Sequence, residues 1–589
     1  MSPSKGPSEA PFSFLGMPHS STPLPSTPLW LSLGLMGLTL AFLLPGHYPP
    51  WTSFQHQWLA AVSVCGLIAF SSLRAHRRSP QLQLPPLALI SAASACLPVV
   101  QWSTGQILFL SDAILPTLYL IGFFFCITAG INVTATLRDK IQSGIFFSLT
   151  AAASISVGLA LFQWLRLGQN QLWLIAVKPS SFPYANLGQH NHLGTLCMIG
   201  IFGTLYQFQN QRLGRLSASI LALWLGFGLI LAQSRTAWLA LLLLAIANWV
   251  LHRRLQPRTP PKILIAYSLG VLIVASLWPT LNEHLFLDSV VTLKDRTLGE
   301  GGRLVMWKAL INATASSPWE GFGWNQVTLA QQAAAPQIAT KEMTQDSHNL
   351  ILDLVLWGGI PFGALWTIVL ALWLKSATNN IGTAQNWLTL CGVLSFLIHT
   401  MLEYPHEYTY FLFPIAILMG TLTPEARGVR IRSSVILPLM ITSTATFLWV
   451  SIEYMKVEEN TRNLRFLLAG IGIDKIRDVP PPDVVLLDGP REYNRYMTTA
   501  ASRGMPVAKI QWMHKVVQRY PYPPALLRYA LAQGLNEDNT GARSTLNLLC
   551  SMHPSARCLE GQSAWLAARL QWPELREIQY PPIPANIGR

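Results

Sequence analysis

Hydrophobic residues in this chain come in long blocks separated by short polar joints. A helix needs about 20 largely apolar residues to cross roughly 30 Å of hydrocarbon. On that measure spans are expected at about 29–45, 58–73, 84–100, 107–131, 145–166, 187–209, 216–233, 236–251, 263–280, 348–374, 386–402, 406–422 and 434–452, about thirteen in all. Residues 1–28, rich in Ser and Pro with the single basic residue Lys5, read as a cytoplasmic tail ahead of an uncleaved anchor.

Basic residues should mark the joints on the cytoplasmic side. Alternate joints carry them: Arg74, Arg77 and Arg78; Arg138 and Lys140; Arg212 and Arg215; Arg253, Arg254, Arg258 and Lys262; Lys375; and Arg427, Arg430 and Arg432. Lys178 is the lone exception in the opposite set. Two polar stretches are too long to be joints, 281–347 and 453–589, and this alternation places both in the periplasm. The tail reads as a soluble helical domain. Within it, residues 523–554 resemble one helix–turn–helix unit of the tetratricopeptide kind, with a small helical domain lacking repeats as the equal alternative.

The 281–347 loop has the room for a site outside the membrane. Arg303 and Trp307 stand four residues apart, on one helical face. A Gly-rich turn, Glu320 to Asn325, follows. His348 then sits at the mouth of the next apolar block, with Ser347 as its expected N-cap. An imidazole there, with arginines near, suits an anionic donor and a hydroxyl acceptor.

Composition sharpens this picture. The 589 residues are 51% hydrophobic and 12% charged, with mean hydropathy +0.35, which marks an all-α, polytopic helix bundle. The net charge of +14 resides in the joints, so nucleic acid is excluded as a partner and membrane lipid takes its place. Cys65, Cys96, Cys126, Cys197 and Cys391 lie in apolar blocks and read as packing residues. Cys550 and Cys558 in the tail are either a disulfide or two free thiols. No metal-ligand cluster or phosphate-binding loop is legible, so neither a metal nor any other cofactor is expected.

Three further constellations have both a chemical and a plain reading. Gln189, His190, Asn191 and His192 open an apolar block, where polar groups either face a cavity or only cap the helix; Asn191 and His192 favour the first reading and His190 the second. Arg235, between two blocks, either snorkels to the interface or joins Arg303 in clamping a diphosphate. Glu403, in a tight loop beside Tyr404, Tyr408 and Tyr410, either orients an arginine or acceptor near His348 or belongs to an interfacial aromatic belt.

Taken together, Ser234–Trp238 (SRTAW), Arg303 and Trp307, the Pro-Trp-Glu-Gly-Phe-Gly-Trp turn, and Asp346 to Gly363 resemble the O-antigen ligase and polymerase superfamily of bacterial inner membranes. The Gln189–Leu193 run, Leu402–Pro414 and the added tail are most similar to its pilin-type protein O-oligosaccharyltransferases (PglL-like). His190 departs from the family pattern. The resemblance implies whole-glycan transfer from undecaprenyl diphosphate to an acceptor in the periplasm, pilin or another protein, with Arg235, Arg303 and His348 in the active site. Substrate contacts are expected from Gln189, Asn191, His192, Trp307, Glu403 and Tyr404. The arginines would stabilise the leaving diphosphate without a metal. His348 would take the acceptor proton in a single inverting displacement, or hold the hydroxyl in line. Transfer to lipid A core or to a growing glycan would use the same site. A secondary transporter is the competing class, with Asp112, Asp353 and Glu403 as its ionisable candidates.

Overall fold

A computed structural model describes residues 29–76, 81–167, 171–177, 181–284, 293–424, 428–472 and 480–582. The tail expected at 1–28, and the markers Arg77, Arg78, Lys178 and Arg427, lie outside the described residues. Every expected block overlaps a helix: α1 (Leu29–Ala41), α2 (Phe54–His76), the consecutive α3 (Pro86–Ser94) and α4 (Cys96–Ser103), α5 (Ser111–Ile131), α6 (Ala135–Trp164), α7 (His190–Gln209), α8 (Arg215–Ala232), α9 (Arg235–Leu255), α10 (Pro261–His284), and, beyond α11 (Leu293–Thr314) and α12 (Val327–Ala334), α13 (Leu350–Asn379), α14 (Ala384–Thr400), α15 (Thr409–Leu422) and α16 (Ser433–Leu468). Among the described residues eight helices are long and apolar enough to cross a membrane. One departure from an all-helical chain is a two-stranded antiparallel ribbon, Gln81–Leu84 against Val429–Arg432.

In lipid, apolar surface gives helices little reason to associate, so packing depends on close approach. Helices α5 and α15 meet backbone to backbone. A Cβ on Gly130 would lie 2.3 Å from the Ile417 carbonyl oxygen, and one on Gly420 2.4 Å from that of Ile127.

The Gly358-Gly359-Ile360-Pro361 sequence breaks α13, where Gly359 takes φ 84°. Pro361 has no N–H, so the Trp357 carbonyl would be stranded; the Gln101 side-chain amide donates to it at 2.7 Å. The Gly-rich turn satisfies the other groups at the break. Phe322 N–H donates to the Leu356 carbonyl at 2.6 Å, and Ile360 N–H to that of Pro318 at 2.8 Å. Trp324 stacks on Trp357 with ring centres 4.8 Å apart. The turn thus docks the polar loop onto α13.

The domain boundary expected after residue 452 falls inside α16, a continuous helix of 36 residues. Beyond it come α17 (Asp488–Thr498), α18 (Val507–Arg519), α19 (Pro523–Gly534), α20 (Asn539–Met552) and α21 (Ser555–Gln571). Helices α19 and α20 form the helix–turn–helix read at 523–554, and Cys550 and Cys558 are disulfide-bonded. Carboxylates fasten the tail. Arg519 and Asp112 form a buried bidentate pair at 2.7 and 2.8 Å. Asp488 accepts from the amides of Leu110 and Ser111, and Glu453 from those of Val485, Leu486 and Leu487. Lys341 and Gln345 of the polar loop donate to Cys550 and Tyr522 of the tail.

Candidate active site

The N-termini of α7, α9 and α13 and the C-terminus of α14 gather at one end of the bundle. The His190 ring bonds the last carbonyl of α8, Ala232 O, at 2.9 Å, and a Cβ on Gly194 would touch Ser234. Arg235, the first residue of α9, therefore sits beside the start of α7. Asn349 caps α13 by accepting from Leu352 N–H. This corrects the expectation for Ser347, whose hydroxyl bonds the Asn349 carbonyl instead.

Glu403 is the centre of the site. It is 2% exposed, a setting in which a carboxylate needs several donors. Its Oε1 accepts from Arg303 Nη2 at 2.7 Å and Asn191 Nδ2 at 2.9 Å. Its Oε2 accepts from His348 Nδ1 at 2.9 Å and Gln189 Nε2 at 3.1 Å. Burial alone would raise its pKa, but the His348 hydrogen bond and the charges of His348 and Arg303 outweigh this and hold it at about 2. Burial pulls the His348 imidazole down, yet the hydrogen bond to Glu403 and the Asp346 and Glu403 carboxylates lift it above its ordinary value.

An ionised Glu403 can only accept, so His348 Nδ1 carries the hydrogen and Nε2 is left with a lone pair when the ring is neutral. The Asp346 carboxylate lies 3.7 Å from Nε2. Tyr404 flanks the imidazole, ring centres 5.0 Å apart. His348 itself is left-handed, φ 57°, a conformation uncommon outside glycine and of order 1–3 kcal/mol uphill.

Not every expected residue reaches this cluster. The Trp307 indole turns inward and donates to the Ser347 carbonyl at 2.7 Å. His192 is fully buried below the loop, 4.5 Å ring to ring from Tyr408, and so is a poor fit to the substrate contact expected of it. The transporter candidates are tied up structurally: Asp112 with Arg519, Asp353 with the Ser347 amide at 2.7 Å, Glu403 with its donors. Sequence reading gave Asp346, Asn349 and Arg519 no part in the site. Asp346 and Asn349 sit within the Asp346–Asn349 motif and were within reach. Arg519, about 400 residues from its partner, carried no local signal.

Beside the cluster lies a cavity of about 780 Å³. Its lining combines apolar Leu115, Leu120, Phe123, Leu354 and Leu370 with polar Asp112, Glu407, Arg519 and Tyr522, and includes Tyr408, whose ring stacks on Tyr404.

Residues 220–367, which include Arg235, Arg303 and His348, match the O-antigen ligase family model. Residues 387–567, which include Glu403 and Arg519, match that of the virulence factor membrane-bound polymerase C-terminal region. The chain is 29% identical over 422 residues to the general O-oligosaccharyltransferase of Acinetobacter baylyi, an alignment covering 69% of this chain and 72% of the relative. These matches make the chain similar to the O-antigen ligase and O-oligosaccharyltransferase superfamily. A second relative in that superfamily, the ComP-specific O-oligosaccharyltransferase of the same organism, is 28% identical over 55% of this chain and 59% of its own length. Like them, the chain is a glycosyltransferase, and its apolar helices make it a multi-pass membrane protein.

Proposed function

We propose that this chain is a protein O-oligosaccharyltransferase of the bacterial inner membrane, with about thirteen spans and its site facing the periplasm. It moves a preassembled glycan from undecaprenyl diphosphate to Ser or Thr hydroxyls of periplasmic proteins, pilin among them. The observation that carries the reading is the convergence of Arg303, His348, Asn191 and Gln189 on one buried, ionised Glu403. Sidedness is supported by the opposite end of the bundle, where Arg212 pairs with Asp139, Arg254 bonds the loop carbonyl of Ile381 and Arg258 bonds the Phe208 carbonyl in the last turn of α7.

The acceptor oxygen attacks the anomeric carbon from the face opposite the diphosphate. The carbon–oxygen bond to the diphosphate breaks, and its electron pair leaves with the phosphate oxygen. Arg303, held by Glu403 through one nitrogen and with its side chain 40% exposed, and Arg235 offset that charge. His348 Nε2 takes the acceptor proton, while Glu403 keeps the ring's other nitrogen protonated, as an orienting carboxylate does for a catalytic histidine. Tyr404 lines the sugar position, and the neighbouring cavity gives the isoprenoid chain an apolar place to lie.

The test is intact-mass measurement of periplasmic proteins in cells making one defined lipid-linked glycan, with and without this chain. Wild type adds the glycan mass to an acceptor protein; His348→Ala, present in the membrane at the same level, adds none. Normal glycosylation by that variant would remove His348 from the mechanism. The match to the O-antigen ligase model favours one second reading, transfer to lipid A core, and glycan mass on lipid A with none on protein would establish it.

A further inference from the structure

We propose that Asp353 and Trp307 are positioning residues that together clamp the Ser347 peptide and so aim His348. The inference rests on His348 being the base. Asp353 lies in the first turn of α13, fully buried. Its Oδ1 accepts the Ser347 N–H at 2.7 Å. From the other end of the same residue, the Ser347 carbonyl accepts the Trp307 indole N–H at 2.7 Å. The next residue is His348, at φ 57°.

A non-glycine residue leaves the left-handed region unless its neighbours hold it there. The ring reaches Glu403 through one 2.9 Å bond, and the backbone N–H of His348 is only 3.3 Å from Asp346 Oδ1. The Ser347 hydroxyl also bonds the Asn349 carbonyl and N–H across the turn, so holding Ser347 holds His348. The two bonds at Ser347 are short, come from different helices, and meet inside the protein, where hydrogen bonds keep most of their strength.

The other oxygen of Asp353 shows what the clamp requires. Oδ2 has no hydrogen-bond partner and stands 3.9 Å from His406 Nε2. Only one accepting oxygen is engaged, so the turn needs an acceptor at this place rather than a charge. Asparagine supplies that acceptor in the same shape. Leucine supplies the shape alone.

The experiment measures kcat and the donor KM of purified full-length enzyme with a defined lipid-linked glycan and a peptide or protein acceptor. Asp353→Asn should stay within about threefold of wild type, and Asp353→Leu should lose about 100-fold in kcat with donor KM unchanged, the cost of a reacting group displaced by about 1 Å. Trp307→Phe, which releases the same peptide from its carbonyl side, serves where the leucine variant fails to accumulate. It should lower kcat and leave donor KM alone. Equal losses in the asparagine and leucine variants, full activity in the leucine variant, or a Trp307→Phe effect confined to KM would each overturn the clamp. His348→Ala in the same assay separates the two ideas: its activity tests the base, and the asparagine-to-leucine ratio tests the clamp.

Discussion

Two glutamates four residues apart on the loop between α14 and α15 have opposite fates. Glu403 is surrounded by four donors from three separate segments and stays ionised down to about pH 2. Glu407, half-buried, lines the cavity wall. Burial pushes its pKa up to about 8, with the Asp353 carboxylate adding to the rise and Arg519 drawing it part of the way back. The same side chain is therefore a fixed anion on one side of a short loop and a neutral acid at pH 7 on the other. What differs is the number of N–H groups folded around each, since burial alone would neutralise both.

The largest effect is expected at the ionised member. Glu403→Ala leaves Arg303 and His348 without their partner and strands the Asn191 and Gln189 amides. Transfer should fall by about 10²–10⁴-fold, the range for losing a general base, as read by glycan transfer with membrane abundance as control. A Glu403→Ala enzyme within tenfold of wild type would show that the convergence only builds the fold. Next in size is Arg519→Ala. It leaves Asp112 buried and unpaired, which costs about 3–5 kcal/mol, and takes from Glu407 the cation that draws its pKa down. A fall in melting temperature and loosening of the tail under limited proteolysis are expected, without the selective kcat loss of Glu403→Ala.

The pH profile comes third. His348 must be neutral to act as a base and its pKa is raised above the ordinary imidazole value, so the acidic limb of kcat/KM, which reports the free enzyme, should lie above that of an unperturbed histidine. Replacing Glu403 with Gln removes the main group that raises the imidazole, so any residual activity should show that limb moving toward lower pH. An acidic limb unchanged by Glu403→Gln would separate the titrating group from His348.

How much of this was legible in the sequence follows from the range of each signal. Apolar blocks are local, so each of the eight described helices long and apolar enough to cross a membrane falls on an expected block. Glu403 was expected either to orient an arginine near His348 or to sit in an aromatic belt, and the structure shows the first; the chain alone could not decide between them because Glu403 meets Arg303 and His348 only after 100 and 55 residues of intervening chain. The break in α13 was readable in its glycines and proline, whereas the turn that repairs it was visible only as a Gly-rich stretch. The N-cap was missed by two residues because Ser347 and Asn349 both suit the position by type. The left-handed His348 between them decides which one caps. The domain boundary was drawn where hydrophobicity falls, but helical hydrogen bonding continues along α16 into the tail without regard to that change.

The smallest effect on transfer is the most discriminating for the opening contrast. Glu403, with its pKa depressed, contributes stability that is present above about pH 4.5 and lost as pH falls toward about 2. Glu407 has the opposite sign. Its raised pKa means that the unfolded chain releases a proton near pH 4.5 while the folded one holds it until about 8, so this group costs stability progressively as pH rises across that window. Glu407→Gln keeps the shape and abolishes the titration. The variant should match wild type in melting temperature below pH 4.5, gain on it steadily up to about pH 8, and run parallel above. Its glycan transfer at pH 7 should be near normal, because the amide stands in for an acid that is already neutral there. A variant whose melting temperature follows that of wild type at every pH from 4 to 9 would mean that Glu407 finds its own donors, and that the two glutamates differ less than their surroundings indicate.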